Sequence, residues 1–355
     1  MRVNSSSLIP GTVRRVLWMA RDEKPSAPYS WRERLRWWPR GFLAESAALY
    51  DLDRNDVANY VNDYERKHRF RTINPVPALF DHKLLMRIAL LQQGFKQAET
   101  IAVIGRDATQ LFPLTPQART VSGGELERWL LEDGGPFVIK PESATQGRGV
   151  ALIERVNGAL VERRGLNAKP FRLRKYSDVT MIERVLVQGE FWQRLNATSA
   201  NSIRVVTMWT PGESAPFIGM AVQRVGTVAT APTDNFTGGG VCAVVDLETG
   251  RLGVARRRPQ GGAGPIVSYA RHPDTGMPIE GERLPGWDAV CATVLRATES
   301  VPFIRYSGWD VLVDDTGTPV IIEANNNTGV DLFQVHYGVL RDARVRRFYE
   351  ACNVL

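Results

Sequence analysis

Apolar residues alternate with polar residues in several short segments of this 355-residue chain, and in other segments they recur every three or four positions. Alternation is typical of strands, whereas the longer spacing is typical of amphipathic helices. The segments with strand character lie at residues 136–141, 150–154, 179–191, 201–207, 310–315 and 319–325. Asn157-Gly158 marks a tight turn after the second of these, so we expect antiparallel pairing there.

Helical spacing predicts four helices, the first of them within a largely helical region of 75 residues. The first follows a cap at Asp53, and the second spans residues 81–94. The third follows a capping box at residues 122–125, and the fourth spans residues 287–301. For the first two helices, the predicted buried faces consist of Val57, Tyr60, Val61 and Tyr64, and of Leu84, Leu85, Ile88 and Leu91.

A predicted hairpin near the C-terminus carries three side chains with oxygen donors. Asp310 begins the outgoing strand, the turn falls at residues 315–317, and Glu323 and Asn325 lie two apart on one face of the returning strand. Hard oxygen ligands of this kind suit Mg²⁺, which takes its remaining ligands from water and substrate phosphates. An exposed hairpin with polar ends is the alternative, but a carboxylate and an amide that end a buried strand need partners.

A short apolar strand before residue 141 delivers Lys140, and a loop of small residues follows at 143–149. Such a loop can present backbone N–H groups to phosphate oxygens, and the lysine adds a positive charge. In the P-loop motif the lysine directly follows the second glycine and starts a helix, whereas here it precedes the loop and a strand follows. The segment therefore indicates a phosphate site of a different kind.

Composition narrows the class of protein. With 43% apolar residues the chain can bury a core, and it is long enough for two or three lobes. We find no apolar run of about 18 residues that would span a membrane, and residues 1–20 lack the apolar core of a signal peptide. The three cysteines are far apart, which favours free thiols in a reducing cytoplasm, and the four histidines lack metal-ligand spacing.

The formal net charge of +7 raises the question of nucleic acid. The basic residues are scattered in separate clusters and no RNA- or DNA-binding motif accompanies them. A solvated face or a small anionic substrate explains them equally well. We therefore expect no nucleic-acid partner.

Residues 31–40 alternate aromatic and basic side chains. A segment of this kind could lie at a membrane surface as a peripheral contact. Alternatively, the tryptophans pack on the rest of the protein while the arginines face water, and we favour this interpretation because Pro39 ends the segment early.

The strand contexts, the order of these motifs and the Glu-Ala-Asn ending resemble the ATP-grasp superfamily from Phe80 to Tyr337. The resemblance implies an α+β ATP-grasp fold, in which two antiparallel-sheet lobes clamp ATP, with a helical N-terminal region. It also implies a division into a helical region (1–75), the first part of the ATP-grasp module (76–134), a small lid subdomain (135–190) and a large subdomain with the Mg²⁺ site (191–355).

By this resemblance, each nucleotide-binding motif of the family has a counterpart here. Lys83 and Lys140 look like the two phosphate-side lysines, and the mobile glycine loop corresponds to a stretch that includes Thr145, Gln146, Gly147 and Gly149. The hinge segment, which reads adenine, corresponds to Glu183, Arg184, Val185 and Leu186, and Glu190 looks like the ribose ligand. Asp310, Glu323 and Asn325 look like the magnesium ligands.

A finer resemblance is to the sugar-transfer-associated ATP-grasp group, with features shared with ribosomal-protein glutamate ligases. Arg204 lies on an inward-facing strand where related ligases keep an arginine near the transferred phosphate, and Asn235 begins a turn that ends in consecutive glycines. The chain departs from the family at His82, which stands between Asp81 and Lys83 where many members have Asp-Lys.

The resemblance implies an ADP-forming carboxylate–amine or carboxylate–thiol ligase that acts through an acyl phosphate. Its catalytic residues would be Arg204, Lys140 and Asn325, with ATP and Mg²⁺ as cofactors and Mn²⁺ as a substitute for Mg²⁺. The substrates would be a small-molecule or peptide carboxylate and an amine, and a homo-oligomer is left open. A phosphotransferase on the same scaffold, or a non-catalytic ATP-binding module of a polysaccharide or secondary-metabolite pathway, remains as an alternative.

Overall fold

The structure is a computed structural model, and it describes residues 11–23, 29–105, 109–111, 119–142, 147–173, 179–259 and 264–355. Within these ranges the chain forms helices at its N-terminal end and two antiparallel sheets after them. This arrangement confirms the predicted α+β class.

Six helices precede the first strand in the described part of the chain: α1 (Gly11–Asp22), α2 (Trp31–Trp37), α3 (Ala44–Leu49), α4 (Asp63–Arg69), α5 (Ala78–Asp81) and α6 (Lys83–Gln92). Short 3₁₀ turns at Trp38–Arg40, Val57–Asn59 and Phe70–Thr72 connect some of them. Ser30 and Glu33 form a capping box at the start of α2, and the Asn62 side chain caps α4 by accepting from the Glu65 N–H.

The helix predicted from Val57 to Tyr64 is wrong. Asp56 caps only a 3₁₀ turn, Tyr60 is extended with φ −118° and ψ 136°, and α4 begins three residues later. The physical reason is a long-range contact: the Gln334 side chain accepts from the Val61 N–H at 2.7 Å and donates to its carbonyl at 3.0 Å. These two bonds satisfy the Val61 backbone as a neighbouring strand would, so a helix is not needed there.

Helix α6 lies in the predicted place but presents the opposite face to the interior. Its buried residues are Lys83, Met86, Arg87 and Leu90. Leu85 is 50% exposed, and Ile88 and Leu91 are exposed as well, so the predicted apolar face is the outer one. The basic residues have acidic partners inside the protein, Glu323 for Lys83 and Glu183 for Arg87, and these partners hold the helix in this orientation.

The first sheet has eight strands in the order β3-β2-β1-β8-β4-β5-β6-β7, all neighbours antiparallel. The strands are β1 (Thr100–Ile104), β2 (Thr109–Leu111), β3 (Arg119–Val121), β4 (Phe137–Pro141), β5 (Ala151–Val156), β6 (Ala159–Arg164), β7 (Asn167–Pro170) and β8 (Thr180–Arg184). Strands from both sides of residue 134 thus belong to one sheet. The predicted domain boundary between residues 76–134 and residues 135–190 stays a prediction.

The two faces of this sheet differ. Helix α7 (Gly123–Asp133) begins at the predicted capping box and packs Leu126 and Leu130 against Phe137 and Ile139. Because side chains alternate along a strand, Val138 and Lys140 project from the other face. That face is turned toward the second sheet.

The second sheet has seven antiparallel strands in the order β13-β12-β11-β10-β9-β14-β15. They are β9 (Ile203–Met208), β10 (Phe217–Val225), β11 (Val241–Val245), β12 (Leu252–Arg257), β13 (Val267–Tyr269), β14 (Tyr306–Val313) and β15 (Pro319–Asn325). The helices of this part are α8 (Glu190–Leu195), α9 (Trp287–Glu299), α10 (Asp331–Gln334) and α11 (Ala343–Ala351), with 3₁₀ turns at Phe236–Gly238 and Val339–Arg341. The predicted hairpin and the predicted fourth helix are therefore confirmed.

Helices cover both faces of the seven-stranded sheet. On one face, α9 contributes Val290 and Val294 to a core that includes Val205 of β9. On the other face, Phe70 from the N-terminal region and Phe348 from α11 join Val206 and Met208 in a second core. Arg204 alternates with Val205 along β9, so its side chain projects from this second face.

The tryptophans of residues 31–40 divide between the two interpretations. Trp37 and Trp38 are buried, and the Trp38 Nε1–H donates to the buried Glu23 carboxylate at 3.0 Å. Trp31 is 67% exposed. Among the described helices, none combines the length and the apolar composition that crossing a bilayer requires.

Candidate functional site

A cavity of about 720 Å³ lies between the two sheets. Val138 and Leu152 line it from the eight-stranded sheet, and Leu312 lines it from β14. Residues 185–188 form another wall and residues 197–200 a further one. The cavity is large enough for a nucleoside, and its lining is mostly apolar with a few polar groups, as in many ligand sites.

The hinge segment passes along one wall of this cavity. Val185 and Leu186 line it, and the Val185 N–H donates to the Pro136 carbonyl at 3.2 Å. The Arg184 side chain turns away and donates to the carboxylates of Asp133 and Glu99 at 3.0 and 2.8 Å. Those two carboxylates raise the pKa of Arg184. The backbone, rather than the Arg184 guanidinium, therefore faces a ligand in this cavity.

Glu183 is buried behind the hinge, with its side chain only 5% exposed. Its Oε2 lies 2.8 Å from the Lys140 Nζ, and its Oε1 lies 2.5 Å from Arg87 Nη2. The carboxylate thus bridges two cations. Direct contact between Glu183 and adenine stays a prediction, since both carboxylate oxygens already have cationic partners.

Lys140 is held in the protein with little exposure to water. Burial lowers the pKa of its ammonium group, because desolvation disfavours the charged form, and Glu183 opposes that effect. The lysine projects from the face of β4 that is turned toward the second sheet. It is placed to meet an anion that enters between the sheets.

Lys83 occupies the first turn of α6 and reaches the same region. Its Nζ donates to the Glu142 carbonyl at 3.1 Å and lies 3.5 Å from Glu323 Oε1 on β15. His82, which interrupts the family's Asp-Lys pattern, places Nδ1 3.2 Å from both carboxylate oxygens of Glu142. Lys83 therefore links the two sheets despite the inserted histidine.

The glycine loop is described only at its end. Thr145 and Gln146 lie outside the described residues. Gly147 and Gly149 have φ of 68° and 78°, a region that side chains rarely adopt. A Cβ on Gly149 would also lie 2.6 Å from Pro141 Cγ. A second cavity of about 230 Å³ lies between these glycines and residues 229–233.

Two arginines and two aspartates form a network on the seven-stranded sheet. Arg204 of β9 is paired directly with Asp310 of β14. Its Nε and Nη2 both donate to the Asp310 carboxylate, the second at 2.8 Å, and its Nη1 donates to Thr328 Oγ1 at 2.7 Å. Arg224 of β10 donates to Asp310 Oδ2 at 3.1 Å and also to Asp234.

The network fixes the charge state of Asp310. Burial acts to raise its pKa, but Arg204 and Arg224 outweigh that effect and hold the pKa below the usual range. In turn, burial acts to lower the pKa of Arg204, and Asp310 holds it above its ordinary value. Asp310 is therefore an ionised carboxylate at neutral pH.

The donor chemistry of the predicted Mg²⁺ ligands fits the ion. Asp310 stands directly opposite Glu323 in the hairpin, and Asn325 stands opposite Gly308, so the three side chains project from one face. Asp310 Oδ1 accepts one hydrogen bond from Arg204 and retains a lone pair. Within the described ranges, no three side chains among His, Cys, Asp and Glu cluster as a metal site. The Mg²⁺ assignment rests on two carboxylates and one amide and stays a prediction.

Two predicted ligands lie apart from the cavity lining. Glu190 begins α8 with its side chain 85% exposed and its carboxylate 4.0 Å from the Arg194 Nε, whereas Gln193 lines the cavity one turn later. The Asn235 side chain accepts from the Thr237 N–H at 3.2 Å and caps a 3₁₀ turn. Asn235 directly follows Asp234, the partner of Arg224.

Sequence reasoning missed two charged residues of the site, Arg87 and Arg224. Arg87 lies four residues after Lys83, a spacing that puts both on one side of a helix, and this could have indicated a shared direction. Arg224 is two residues from Val222, the strand partner of Arg204, but that pairing joins distant parts of the sequence. No local pattern predicts it.

Two antiparallel sheets that face a cavity, a lysine from each side and a hairpin with paired carboxylates define an ATP-grasp protein. The chain belongs to the sugar-transfer associated ATP-grasp family, because the sequence model of that family matches residues 60–348.

Several solved structures are similar in fold. D-alanine--D-alanine ligase from Bacillus anthracis is 14% identical, with 78% of this chain and 69% of that chain covered and a TM-score of 0.38. Biotin carboxylase from Campylobacter jejuni, in a complex with β,γ-ATP, is 12% identical. That match covers 78% of this chain and 49% of that chain, with a TM-score of 0.42. N5-carboxyaminoimidazole ribonucleotide synthetase from Thermotoga maritima is 10% identical. That match covers 70% of this chain and 42% of that chain, with a TM-score of 0.36.

The chain spans less than half the length of the last two of these proteins. No curated protein matches the sequence.

Proposed function

We propose that the protein is an ATP-dependent ligase that joins a carboxylate to an amine, or to a thiol, and releases ADP and orthophosphate. One observation carries the proposal. Lys140 of the eight-stranded sheet and Arg204 of the seven-stranded sheet are buried cations, and the Glu323 carboxylate is close enough to act electrostatically on both, with Asp310 paired to Arg204. Val138 and Leu312, which lie two residues from Lys140 and from Asp310 on the same strand faces, line a cavity of nucleoside size. A triphosphate needs both cations and metal-binding carboxylates, and a simple anion site does not need the carboxylates.

The nucleotide would lie with its base in the 720 Å³ cavity, between Val138, Leu152 and Leu312. The hinge backbone at Leu186 is then available to the Watson–Crick edge of adenine. Lys140 and Lys83 would contact phosphate oxygens, and the loop that ends at Gly147 and Gly149 would cover them. Glu190 stays the residue predicted to bind the ribose, although its exposed side chain does not line the cavity in the structure.

Asp310, Glu323 and Asn325 would hold Mg²⁺, or Mn²⁺ in its place. The bound ion would neutralise phosphate charge. Lys83 stands 3.5 Å from Glu323, so this lysine and the predicted metal ligand belong to one electrostatic unit.

In the first step, an oxygen of the substrate carboxylate forms a bond to the γ-phosphorus while the bond from that phosphorus to the ADP oxygen breaks. In the second, the amine attacks the acyl carbon, orthophosphate leaves, and the amine loses a proton. Arg204 and Arg224 would contact oxygens on which negative charge develops, so their contribution is positioning and charge stabilisation. The acyl phosphate must be kept from water, which the apposed sheets can do.

The experiment that tests this proposal measures ADP formation with pooled carboxylates, with and without pooled amines. We expect ADP and orthophosphate only when a suitable carboxylate is present, and a stable amide only when an amine is added. A phosphorylated hydroxyl product would instead support the phosphotransferase alternative. ATP binding without turnover on any pool would support a non-catalytic module.

The remaining assignments follow the sequence. We propose small-molecule or peptide substrates and no nucleic-acid partner. The three cysteines are unpaired in the structure. A cytoplasmic location, a homo-oligomer and a peripheral membrane contact by residues 31–40 stay predictions.

A further inference from the structure

Arg87 is the more deeply buried of the two cations that contact Glu183, and the residue as a whole is 0% exposed. Its Nη1 donates to the Ala98 carbonyl at 2.5 Å, and its Nη2 lies 2.5 Å from Glu183 Oε1. Burying a guanidinium costs several kcal/mol unless good partners receive it. Such a residue is therefore unfavourable for stability alone, and a role in binding would explain it.

The orientation of α6 also supports a role of Arg87 in binding. This helix buries Lys83 and Arg87 together with Met86 and Leu90. It leaves three apolar side chains, Leu85, Ile88 and Leu91, exposed to water, so hydrophobic burial alone does not account for two buried cations on the inner face. Local rules of this kind are broken mainly where function requires it.

Glu183 connects Arg87 to the phosphate side of the cavity. Its two oxygens are divided between Arg87 and Lys140, so the position of one cation depends on the other through this carboxylate. Arg87, Lys140 and Glu183 together carry one net positive charge, and Glu323, which also acts on Lys140, is balanced by Lys83 at 3.5 Å. Because Val138 on the same face of β4 lines the cavity, this excess of positive charge favours an anionic ligand there.

We propose that Arg87 is a positioning residue for the nucleotide triphosphate: it holds Glu183, and Glu183 directs the Lys140 ammonium toward the phosphates. The inference rests on the proposed nucleotide site and adds a residue that contacts no ligand itself. Without Arg87, Glu183 is free to turn toward Lys140 and neutralise it, so the lysine offers less charge to a phosphate. The nucleoside part of the ligand, held by the hinge wall, is unaffected.

Calorimetric titration of the full chain with MgATP and with adenosine tests this inference. Arg87→Met should weaken MgATP binding by about tenfold or more, which is the effect of losing one charge-assisted contact between the Lys140 ammonium and a phosphate. The same substitution should leave adenosine binding within about twofold of the wild-type value. Arg87→Lys, which keeps the cation, should recover most of the loss. Arg34→Met, which removes a buried arginine of α2 away from the cavity, is the matched control and should change neither affinity.

The Arg87→Met/Glu183→Gln double variant provides a second readout. If Arg87 acts through Glu183, the double variant should bind MgATP no more weakly than whichever single variant, Arg87→Met or Glu183→Gln, binds it more weakly. The reason is that both substitutions then remove the same effect on Lys140, so their losses do not add. Additive losses would overturn the inference, and so would equal losses for MgATP and adenosine in Arg87→Met. If Arg87→Met does not fold, the Glu183→Gln single variant decides: it should weaken MgATP binding much more than adenosine binding, and equal losses for the two ligands contradict the proposal. Wild-type protein that binds no MgATP would instead remove the proposed function.

Discussion

Arg204 and Asp310 are direct partners across β9 and β14, and two nitrogens of the guanidinium donate to the one carboxylate. One residue is the predicted phosphate contact and the other a predicted metal ligand. Their pairing means that each sets the charge and orientation of the other. The phosphate and metal parts of the proposed site are therefore coupled before any ligand binds.

Replacement of Arg204 by Ala should affect chemistry more than binding. The proposed role of Arg204 is to meet charge that develops during phosphoryl transfer, whereas Lys140 is proposed to hold ground-state ATP. We expect a loss of about a hundredfold to a thousandfold in turnover with a much smaller change in ATP affinity. Turnover by ADP release and affinity by calorimetry give the comparison. Equal losses in both quantities would show that Arg204 serves ground-state binding only.

Replacement of Glu323 by Gln should abolish turnover and leave the fold intact. The amide keeps the shape of the side chain but removes the charge that Mg²⁺ and Lys83 require. ADP release measures the loss, and thermal unfolding confirms that the variant is folded. Normal turnover in this variant would remove the metal assignment.

The hinge predicts a preference for ATP over GTP. In the proposed binding mode, the Leu186 N–H would donate to the N1 acceptor of adenine, whereas guanine presents a donor at that position. Calorimetry should show markedly weaker binding of GTP, and equal affinities would mean that the hinge is misplaced.

Replacement of Glu190 by Ala tests the ribose assignment by the same calorimetric measurement. An unchanged ATP affinity in Glu190→Ala would contradict that assignment.

Asp314 provides a pH-dependent prediction about stability. Burial acts to raise its pKa, but hydrogen bonds from Lys96, Thr316 and Thr318 outweigh this and lower the pKa to about 2. A depressed pKa contributes stability above the unfolded-state value of about 3.9, and that contribution is lost as pH falls toward 2. We expect Asp314→Asn to reduce the free energy of unfolding by about 1–2 kcal/mol at pH 7, discounted because Lys96 is half exposed.

Urea unfolding at pH 7 and at pH 3 measures this difference, which should shrink at the lower pH. Asp315→Asn, at the exposed neighbouring position of the same turn, is the control and should change stability little. A constant difference at both pH values would show that the hydrogen bonds of Asp314 contribute independently of its charge.

The sequence predicted those parts of the site that local pattern determines. Strand alternation and a short turn place Asp310, Glu323 and Asn325 on one hairpin, and the structure has that hairpin. The register next to the turn would set Asp310 opposite Ile322, and a β-bulge between Asp310 and Val311 sets it opposite Glu323 instead. A capping box likewise sets the start of α7. These features depend on residues a few positions apart.

The parts that could not be predicted depend on distant residues. The stretch after Val57 is not a helix because Gln334 binds the Val61 backbone. Helix α6 faces inward with its basic side because Glu183 and Glu323 are there to receive it. Arg224 joins the network through strand pairing alone. In each case a partner hundreds or tens of residues away overrides the local hydrophobic pattern.

Hydroxylamine trapping tests the central claim most directly. With MgATP and the right carboxylate, the acyl phosphate should react with hydroxylamine to give a hydroxamate, accompanied by equal amounts of ADP and orthophosphate. Arg204→Ala should lose this product while it still binds ATP. Formation of AMP and pyrophosphate would contradict the account, since it requires attack of the carboxylate at a different phosphorus. A stable phosphoester without hydroxamate would contradict it as well, because the protein would then be a phosphotransferase.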